Sequence, residues 1–126
     1  MLYHLSEENH NNEVFKPRIP QSIIDDEEKE DQTTKRVCFS KTISGAYRAI
    51  QFTNDEKVEL YVHIPYNKNI KYYKPTEEQV YDINFTSEVW VKHKVKMKCI
   101  GKICAYYKCD YFHWKPKVRI KWLEKY

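Results

Sequence analysis

Residues 89–103 carry the feature that most constrains the fold of this chain, an alternation of apolar and polar side chains along the whole stretch. One set of alternate positions is mostly apolar, and the other holds a tryptophan and lysines: Val89, Val91, His93, Val95, Met97 and Cys99 against Trp90, Lys92, Lys94, Lys96 and Lys98. A two-residue period is typical of a β-strand with one buried and one solvated face. The stretch therefore predicts one long strand with a lysine-rich solvent face, in which Gly101 marks a bulge or bend.

Shorter segments predict further strands and one helix. Apolar runs bounded by turn residues or prolines predict strands at 2–5, 36–40, 58–64, 106–114 and 117–123. A helix is predicted over 42–50, because Ile43, Ala46, Tyr47 and Ile50 lie at helical spacing behind a Ser or Thr cap. A further helical turn is predicted at 75–80, with Thr76 as its cap. The fold class is therefore α+β, a small and mainly β core with an antiparallel or split sheet and one or two short helices.

Length and composition predict one soluble domain. The chain has 126 residues and 15.4 kDa, which suits a single domain over 1–126. Residues 21–35 are polar and acidic without a clear period, and predict a long acidic loop. No apolar run approaches the roughly 18 residues of a membrane span, so we expect no membrane partner. The start lacks the pattern of a secretory signal, so the four cysteines are expected to be reduced and the location cytoplasmic.

Positive charge is concentrated in the last third of the chain. The formal net charge is +4, yet residues 92–126 hold eleven lysines and arginines against Asp110 and Glu124. Aromatic residues alternate with these cations over 106–122. This pattern is typical of single-stranded nucleic-acid sites, where cations hold phosphates and rings stack on bases. It is also typical of a half-buried strand with aromatic side chains inside and lysines outside, and we predict this second arrangement because alternation alone explains the pattern.

A string of thiols and one imidazole lies in the same region: Cys99, Cys104, Cys109 and His113. Three thiols and an imidazole are a valid zinc shell, but the spacing lacks the short pair of a zinc knuckle. An odd offset on a strand also points Cys99 and Cys104 to opposite faces. We therefore predict no metal site and interpret these cysteines as buried or incidental thiols. His63 and His93 fall inside predicted strands and receive no functional role.

The order of several short motifs resembles the ADP-ribosyltransferase superfamily over about residues 1–104. The chain begins Leu2-Tyr3-His4-Leu5-Ser6, has the strand Val37-Cys38-Phe39-Ser40 directly before the predicted helix, and has Thr86-Ser87-Glu88 directly before Val89-Trp90-Val91. The diphtheria-toxin-like branch, with the poly(ADP-ribose) polymerases and the small rifampicin ADP-ribosyltransferases, has a strand histidine, an aromatic strand leading into a helix, and a late glutamate in this order. The resemblance implies an ADP-ribosyltransferase-like fold and NAD as cofactor.

The resemblance also implies roles for individual residues. His4 would bind the nicotinamide ribose and act with Glu88, whose carboxylate would stabilise the positive charge that develops as the glycosidic bond breaks. The other implied NAD-binding residues are Arg18, Arg36, Cys38, Phe39, Ser40, Ser44 and Tyr47. Cys38 stands where the family has a stacking tyrosine, Leu5 where it has a glycine, and Thr86 where its arginine-modifying branch has a second carboxylate. From the residues alone, a structural role is favoured for each of three residues: His4 as a strand residue, Glu88 as a surface residue at the start of a strand, and Tyr47 as a core residue.

Two functions follow from these patterns. The first is that the chain binds NAD or an ADP-ribose-type nucleotide, which it would either use to transfer ADP-ribose to a macromolecular acceptor or sequester without turnover. Host-directed effectors, toxins and phage proteins of this kind offer the analogy. The alternative is a non-enzymatic module that binds nucleic acid or protein through its basic C-terminal strands.

Overall fold

The computed structural model describes residues 1–19, 31, 33–50, 57–80, 83–108 and 117–126. These residues form seven strands and two short helices, in the order β1 (His4–Ser6), β2 (Val14–Phe15), β3 (Val37–Ser40), α1 (Ile43–Ala49), β4 (Val58–Pro65), α2 (Ile83–Thr86), β5 (Glu88–Val91), β6 (Val95–Lys108) and β7 (Lys117–Lys125). The predicted α+β class, with a mainly β core and one or two short helices, is confirmed. The second helix is α2 and not the stretch predicted at 75–80, where a single turn forms with the Val80 amide bonded to the Thr76 carbonyl at 2.9 Å. None of the helices in these ranges is long and apolar enough to span a bilayer.

The strands pair in two antiparallel sheets. In the larger sheet β1 pairs with β4 and β4 with β6, while β2 and β7 share the other edge of β6. The smaller sheet consists of β3 and β5. Two backbone hydrogen bonds between Tyr3 and Ser40 join β1 to β3, so the smaller sheet continues from the edge of the larger one.

The local signals for α1 explain where the helix begins and how it docks. The side chain of Thr42 accepts a hydrogen bond from the amide of Gly45 at 2.9 Å, as expected of an N-cap. Gly45, Ala46 and Tyr47 are buried, so this face of the helix packs on the sheet. We call the side of the sheet that α1 covers the helix side, and the opposite side the far side. On β4, Leu60 and Val62 project to the helix side, whereas Tyr61 and His63 project to the far side.

Two hydrophobic clusters hold the fold together. The first, beneath the smaller sheet and the start of β6, contains Leu2, Val37, Phe39, Val89, Val91, Val95 and Met97. The second, between α1 and the larger sheet, contains Leu5, Ala46, Tyr47, Leu60, Val62, Ile103 and Ala105. β6 contributes Val95 and Met97 to the first cluster and Ile103 and Ala105 to the second, and these two pairs point to opposite sides of the sheet. The side of β6 that faces the core must therefore change along the strand.

A β-bulge in β6 makes this change possible. Val62 pairs with Gly101 and His63 with Cys99, so Ile100 is an extra residue on β6. The predicted bulge at Gly101 is thereby confirmed. Gly101 has φ +155°, and a Cβ there would lie 2.3 Å from the carbonyl oxygen of Glu124 on β7. The close approach of β7 at the bulge therefore requires a glycine.

The prediction of one strand over 89–103 was wrong. The stretch divides into β5 and the start of β6, which belong to different sheets, and the intervening Lys92, His93 and Lys94 are exposed. Alternation does continue in β6, where Val95, Met97 and Cys99 are buried and Lys96 and Lys98 exposed. Trp90 was expected on the solvent face, yet it is fully buried, because Arg36 covers its ring at 4.0 Å.

Parts of several predictions lie outside the described residues. Of the acidic loop over 21–35, only residues 31 and 33–35 are described, and there the Asp31 carboxylate accepts hydrogen bonds from Thr33 and Thr34. The strand predicted over 106–114 is described to Lys108, as the end of β6. Cys109 and His113 lie outside the described part. A single domain over 1–126 stays a prediction.

Candidate functional sites

Glu88 lies at the start of β5, directly opposite Ser40 on β3. Its carboxylate accepts a hydrogen bond from the Trp90 indole at 2.9 Å. Ser87 precedes it in the left-handed region at φ 54°, and the Ser87 carbonyl accepts the amide of Lys41 at 3.1 Å. The buried Ser40 hydroxyl donates to the Thr86 carbonyl at 2.5 Å. The end of β3 and the α2–β5 junction are therefore joined on the helix side.

His4 lies on the other side of the sheet. It pairs with His63, and its ring contacts Phe15 and Phe39 at centroid distances of 5.3 and 6.3 Å. Phe39 and Ser40 are successive strand residues and point to opposite sides, and Ser40 shares its side with Glu88. Phe39 therefore contacts His4 on one side of the sheet, and Ser40 pairs with Glu88 on the other side. A single cleft floored by His4, Phe39, Ser40 and Glu88 does not agree with this register.

The remaining residues that the resemblance implies are dispersed. Tyr47 is fully buried in the second cluster against Tyr107, with ring centroids 4.8 Å apart, and burial raises its pKa. Ser44 is half-buried on α1, and Cys38 is half-buried opposite Trp90.

The two implied arginines bond to each other through their backbones, but their side chains differ in exposure. Arg18 is exposed, whereas Arg36 is buried and donates to the carbonyls of Asp31 and Thr34 at 2.6 and 2.9 Å. Because Tyr47 packs against the tilted ring of Tyr107 and the Arg36 guanidinium lies over Trp90, neither side chain is presented to a nucleotide.

A cavity of about 420 Å³ opens where β1 begins and β4 ends. Its walls are largely apolar and its rim carries lysines: Met1, Leu2, Ile64, Pro65, Ile70 and Tyr72, with Lys41, Asn67 and Lys68. None of the residues implied by the ADP-ribosyltransferase resemblance lines it. The ammonium of Lys41 lies 5.4 Å from the centre of the Tyr72 ring.

Three histidines that the sequence analysis did not connect meet on the far side. The rings of His4 and His10 lie 6.0 and 5.5 Å from the ring of His63, which is fully buried. Burial is the main cause that lowers the pKa of His4 to about 4, and the neighbouring His63 lowers it further. Burial also lowers the pKa of His63. No sequence signal indicated the cluster, because residues 4, 10 and 63 meet only through strand pairing and a loop.

The far side beyond the bulge carries the described lysines and arginines of residues 102–121. We define the basic face as these side chains of β4, β6 and β7: Tyr61, Lys102, Cys104, Tyr106, Lys108, Lys117, Arg119 and Lys121. Strand pairing aligns Tyr61 with Lys102, Cys104 with Lys121, and Tyr106 with Arg119. Each of these side chains is exposed or half-buried. Glu59 and Glu124 are the carboxylates on the same strands and side.

Cations and rings are in contact on the basic face. The ammonium of Lys102 lies 5.2 Å from the centre of the Tyr61 ring, and that of Lys57 lies 5.3 Å from Tyr106. The described aromatic residues of β6 and β7 divide between the two sides. Tyr107 and Trp122 pack against the second cluster, whereas Tyr106 faces outward. The prediction of inward aromatics and outward cations is therefore confirmed for β7, and Tyr106 is the exception on β6.

Because of the bulge, Cys99 and Cys104 lie on the same side of the sheet. Cys99 pairs with His63 and Cys104 with Glu59, so both point to the far side, not to opposite sides as the offset predicted. They lie on the order of 15 Å apart along the strand at about 3.3 Å per residue. That distance is too long for both to bind one ion. Among the described residues, no cluster of His, Cys, Asp and Glu has an arrangement suited to a metal ion.

Comparisons of this chain with protein-family models, with curated proteins and with solved structures find no match.

Proposed function

We propose that the chain binds single-stranded nucleic acid on the basic face. One observation carries the proposal. The bulge and the pairing of β6 with β7 gather the outward cations and Tyr106 on one side, while Tyr107 and Trp122 pack against the second cluster. Cations that hold phosphates beside rings that stack on bases are the two components of non-sequence-specific single-strand sites.

The arrangement supports a division of roles among these side chains. Lys102, Lys108, Lys117, Arg119 and Lys121 would contact phosphates, because they project outward along two paired strands. Tyr106 would stack on a base, since it is the half-buried ring between Arg119 and the ammonium of Lys57. Backbone contacts of this kind are strongly salt-dependent. Five phosphate contacts give a slope of about −3.5, so raising salt from about 50 to about 200 mM weakens binding roughly 130-fold.

Fluorescence anisotropy with a labelled oligothymidylate tests the proposal. The variant Arg119→Ala/Lys121→Ala should weaken binding and reduce the salt slope by about 1.4, the contribution of two phosphates to a single strand. The control Lys96→Ala/Lys98→Ala removes the same charge from the exposed positions of β6 before the bulge, on the helix side. Its affinity and slope should stay close to wild type. Equal losses in the two double variants would contradict a site on the basic face.

The role of Tyr106 is tested separately. Tyr106→Ala should weaken binding by about 1–3 kcal/mol, and Tyr106→Phe should retain most of the affinity, since the ring is what stacks. The phenylalanine variant is thus the matched control for the loss of the ring. If alanine at this position leaves the affinity unchanged, the tyrosine takes no part and the basic face attracts polyanions by charge alone.

We also propose, as a second candidate, that the chain binds NAD or an ADP-ribose-type nucleotide and transfers ADP-ribose or sequesters the nucleotide. The observation that favours it is the pairing of Ser40 with Glu88, which brings together two residues implied by the ADP-ribosyltransferase resemblance. At about 100 times its dissociation constant, NAD should stabilise the fold by about 2.7 kcal/mol in a thermal denaturation. Glu88→Gln should then abolish nicotinamide release. No shift with NAD or ADP-ribose would refute this candidate and leave the first one intact.

A further inference from the structure

The segment between β1 and β2, residues 7–13, crosses the far side of the sheet; we call it the strap. It begins at β1, which pairs with β4, and ends at β2, which pairs with the opposite edge of β6. The far end of the strap is bonded to β6: the amide of Asn12 donates to the Met97 carbonyl at 2.9 Å, and the Met97 amide donates to Glu13 at 2.8 Å. Two contacts hold the middle of the strap. The side-chain oxygen of Asn11 accepts the Cys99 amide at 3.0 Å, and the backbone of His10 is bonded to β4.

The contact of His10 is made by the imidazole of His63. Its Nε2 accepts the backbone N–H of His10 at 2.9 Å, and its Nδ1 lies 3.3 Å from the carbonyl oxygen of His4. A carbonyl only accepts and an amide only donates. His63 is therefore neutral with the proton on Nδ1, and a proton on Nε2 would place two donors against each other. The hydrogen bond from the His10 amide can therefore form only while His63 is not protonated.

We propose that His63 is an acid-sensitive latch, which holds the strap across the sheet while its imidazole is neutral and releases it when the imidazole is protonated. The proposal does not depend on either proposed function. Release would free the His10 amide and uncover His63 and the edge of His4, which adjoin the basic face at Tyr61. The strap would thus move next to the surface that carries the cations.

Most of the titratable and charged groups around His63 favour its neutral form while the strap is closed. His4 on β1 and His10 on the strap are the nearest titratable rings, and a positive charge on either one opposes a charge on His63. Glu13 on the strap favours the charge, but its carboxylate already bonds to Nδ1 of His10, whose Nε2 bonds to the Ser6 hydroxyl at 3.0 Å. Cys99 pairs with His63 on β6, and burial raises the pKa of its thiol, which keeps it neutral. Arg18 adds a further positive charge near His4.

Hydrogen exchange of backbone amides tests the latch. As the pH falls from about 6.5, the pKa of an unperturbed imidazole, towards the lowered pKa of His63 in the fold, the protection factor of the His10 amide should fall about tenfold per pH unit, because only the released strap leaves His63 able to bind the proton. The amides in the β4–β6 pairing around Leu60 and Ile103 should keep their protection over the same range. If these amides lose protection together with His10, acid unfolds the whole domain and the latch is refuted.

Two variants assign the effect. His63→Gln offers a side-chain amide that accepts and donates but does not titrate, so the pH dependence of His10 protection should disappear. His93→Gln makes the same change at an exposed histidine and should behave as wild type. Persistence of the wild-type pH dependence in His63→Gln would overturn the proposal.

A measurement on the unmodified chain covers the case in which His63→Gln does not fold. Nitrogen-15 NMR of the imidazoles at pH 7.5 should show His63 neutral with the proton on Nδ1. Protonation of His63 should then reach its midpoint at the pH where the fall in His10 protection ends. A proton on Nε2 at pH 7.5, or a His63 midpoint that does not coincide with the end of that fall, would refute the latch.

Discussion

Replacing Gly45 by alanine should destabilise the fold, although alanine is the better helix former. A Cβ on Gly45 would lie 2.2 Å from the Thr86 carbonyl oxygen, 2.5 Å from the Ser40 hydroxyl and 2.8 Å from the Thr42 hydroxyl. Normal contact with the carbonyl requires a separation larger by about 1 Å, and such overpacking costs about 1–3 kcal/mol. Moving Thr86 also strains its hydrogen bond from Ser40, a loss of about 1–3 kcal/mol for a buried group. The gain in helix propensity offsets only about 1 kcal/mol.

The net cost is therefore about 3 kcal/mol, which corresponds to a fall in Tm of roughly 9–18 °C for a chain of this size. Thermal denaturation followed by circular dichroism, with urea unfolding for the free energy, measures it. Ser44→Ala is the matched control, because it raises helix propensity at the neighbouring half-buried position and should change stability by less than about 0.5 kcal/mol. A Gly45→Ala protein as stable as wild type, or more stable, would refute the close packing of α1 on the β3–α2 junction.

Three further predictions concern stability. Because the pKa of His4 is about 4 in the fold and 6.5 in the unfolded chain, unfolded chains bind more protons between these values; the free energy of unfolding should be constant above about pH 6.5 and fall by at most about 3 kcal/mol towards pH 4. Urea titrations at stepped pH check this, and a flat profile would contradict a neutral His4. Gly101→Ala should lower Tm by several degrees, since its Cβ would meet the Glu124 carbonyl at 2.3 Å; unchanged stability would mean that β7 moves freely at the bulge. Thr42→Ala should cost about 1 kcal/mol in urea unfolding through loss of the cap on Gly45, and Thr42→Ser, which keeps the hydroxyl, should recover most of it.

Several elements could be predicted from local patterns because their causes are local. The cap at Thr42 and the helical spacing behind it predicted α1, and the apolar run ending at Pro65 predicted β4. Gly101 inside an alternating run predicted the bulge. In each case the signal is a property of consecutive residues, so backbone geometry and burial periodicity suffice to read it.

The candidate sites could be predicted only in part. The residues implied by the ADP-ribosyltransferase resemblance were chosen by their order along the chain, and order does not determine which side of a sheet a side chain occupies. His4 and Glu88 consequently fall on opposite sides. The basic face was indicated by composition, but which of its aromatic residues point outward depends on the register of β6 with β7.

By itself, the sequence determined that this chain is mainly β, where α1 begins, and that its last third carries a basic surface. These follow from side-chain periodicity, capping chemistry and charge, which act over a few neighbouring residues. Only the tertiary structure decided that the stretch over 89–103 breaks into two sheets, that Trp90 is buried beneath Arg36, and that His10 meets His63. Such contacts join residues distant in the chain, and they depend on how strands pair and how loops cross them. A local sequence pattern does not specify which strands pair, because strand pairing depends on packing between residues that are distant in the chain.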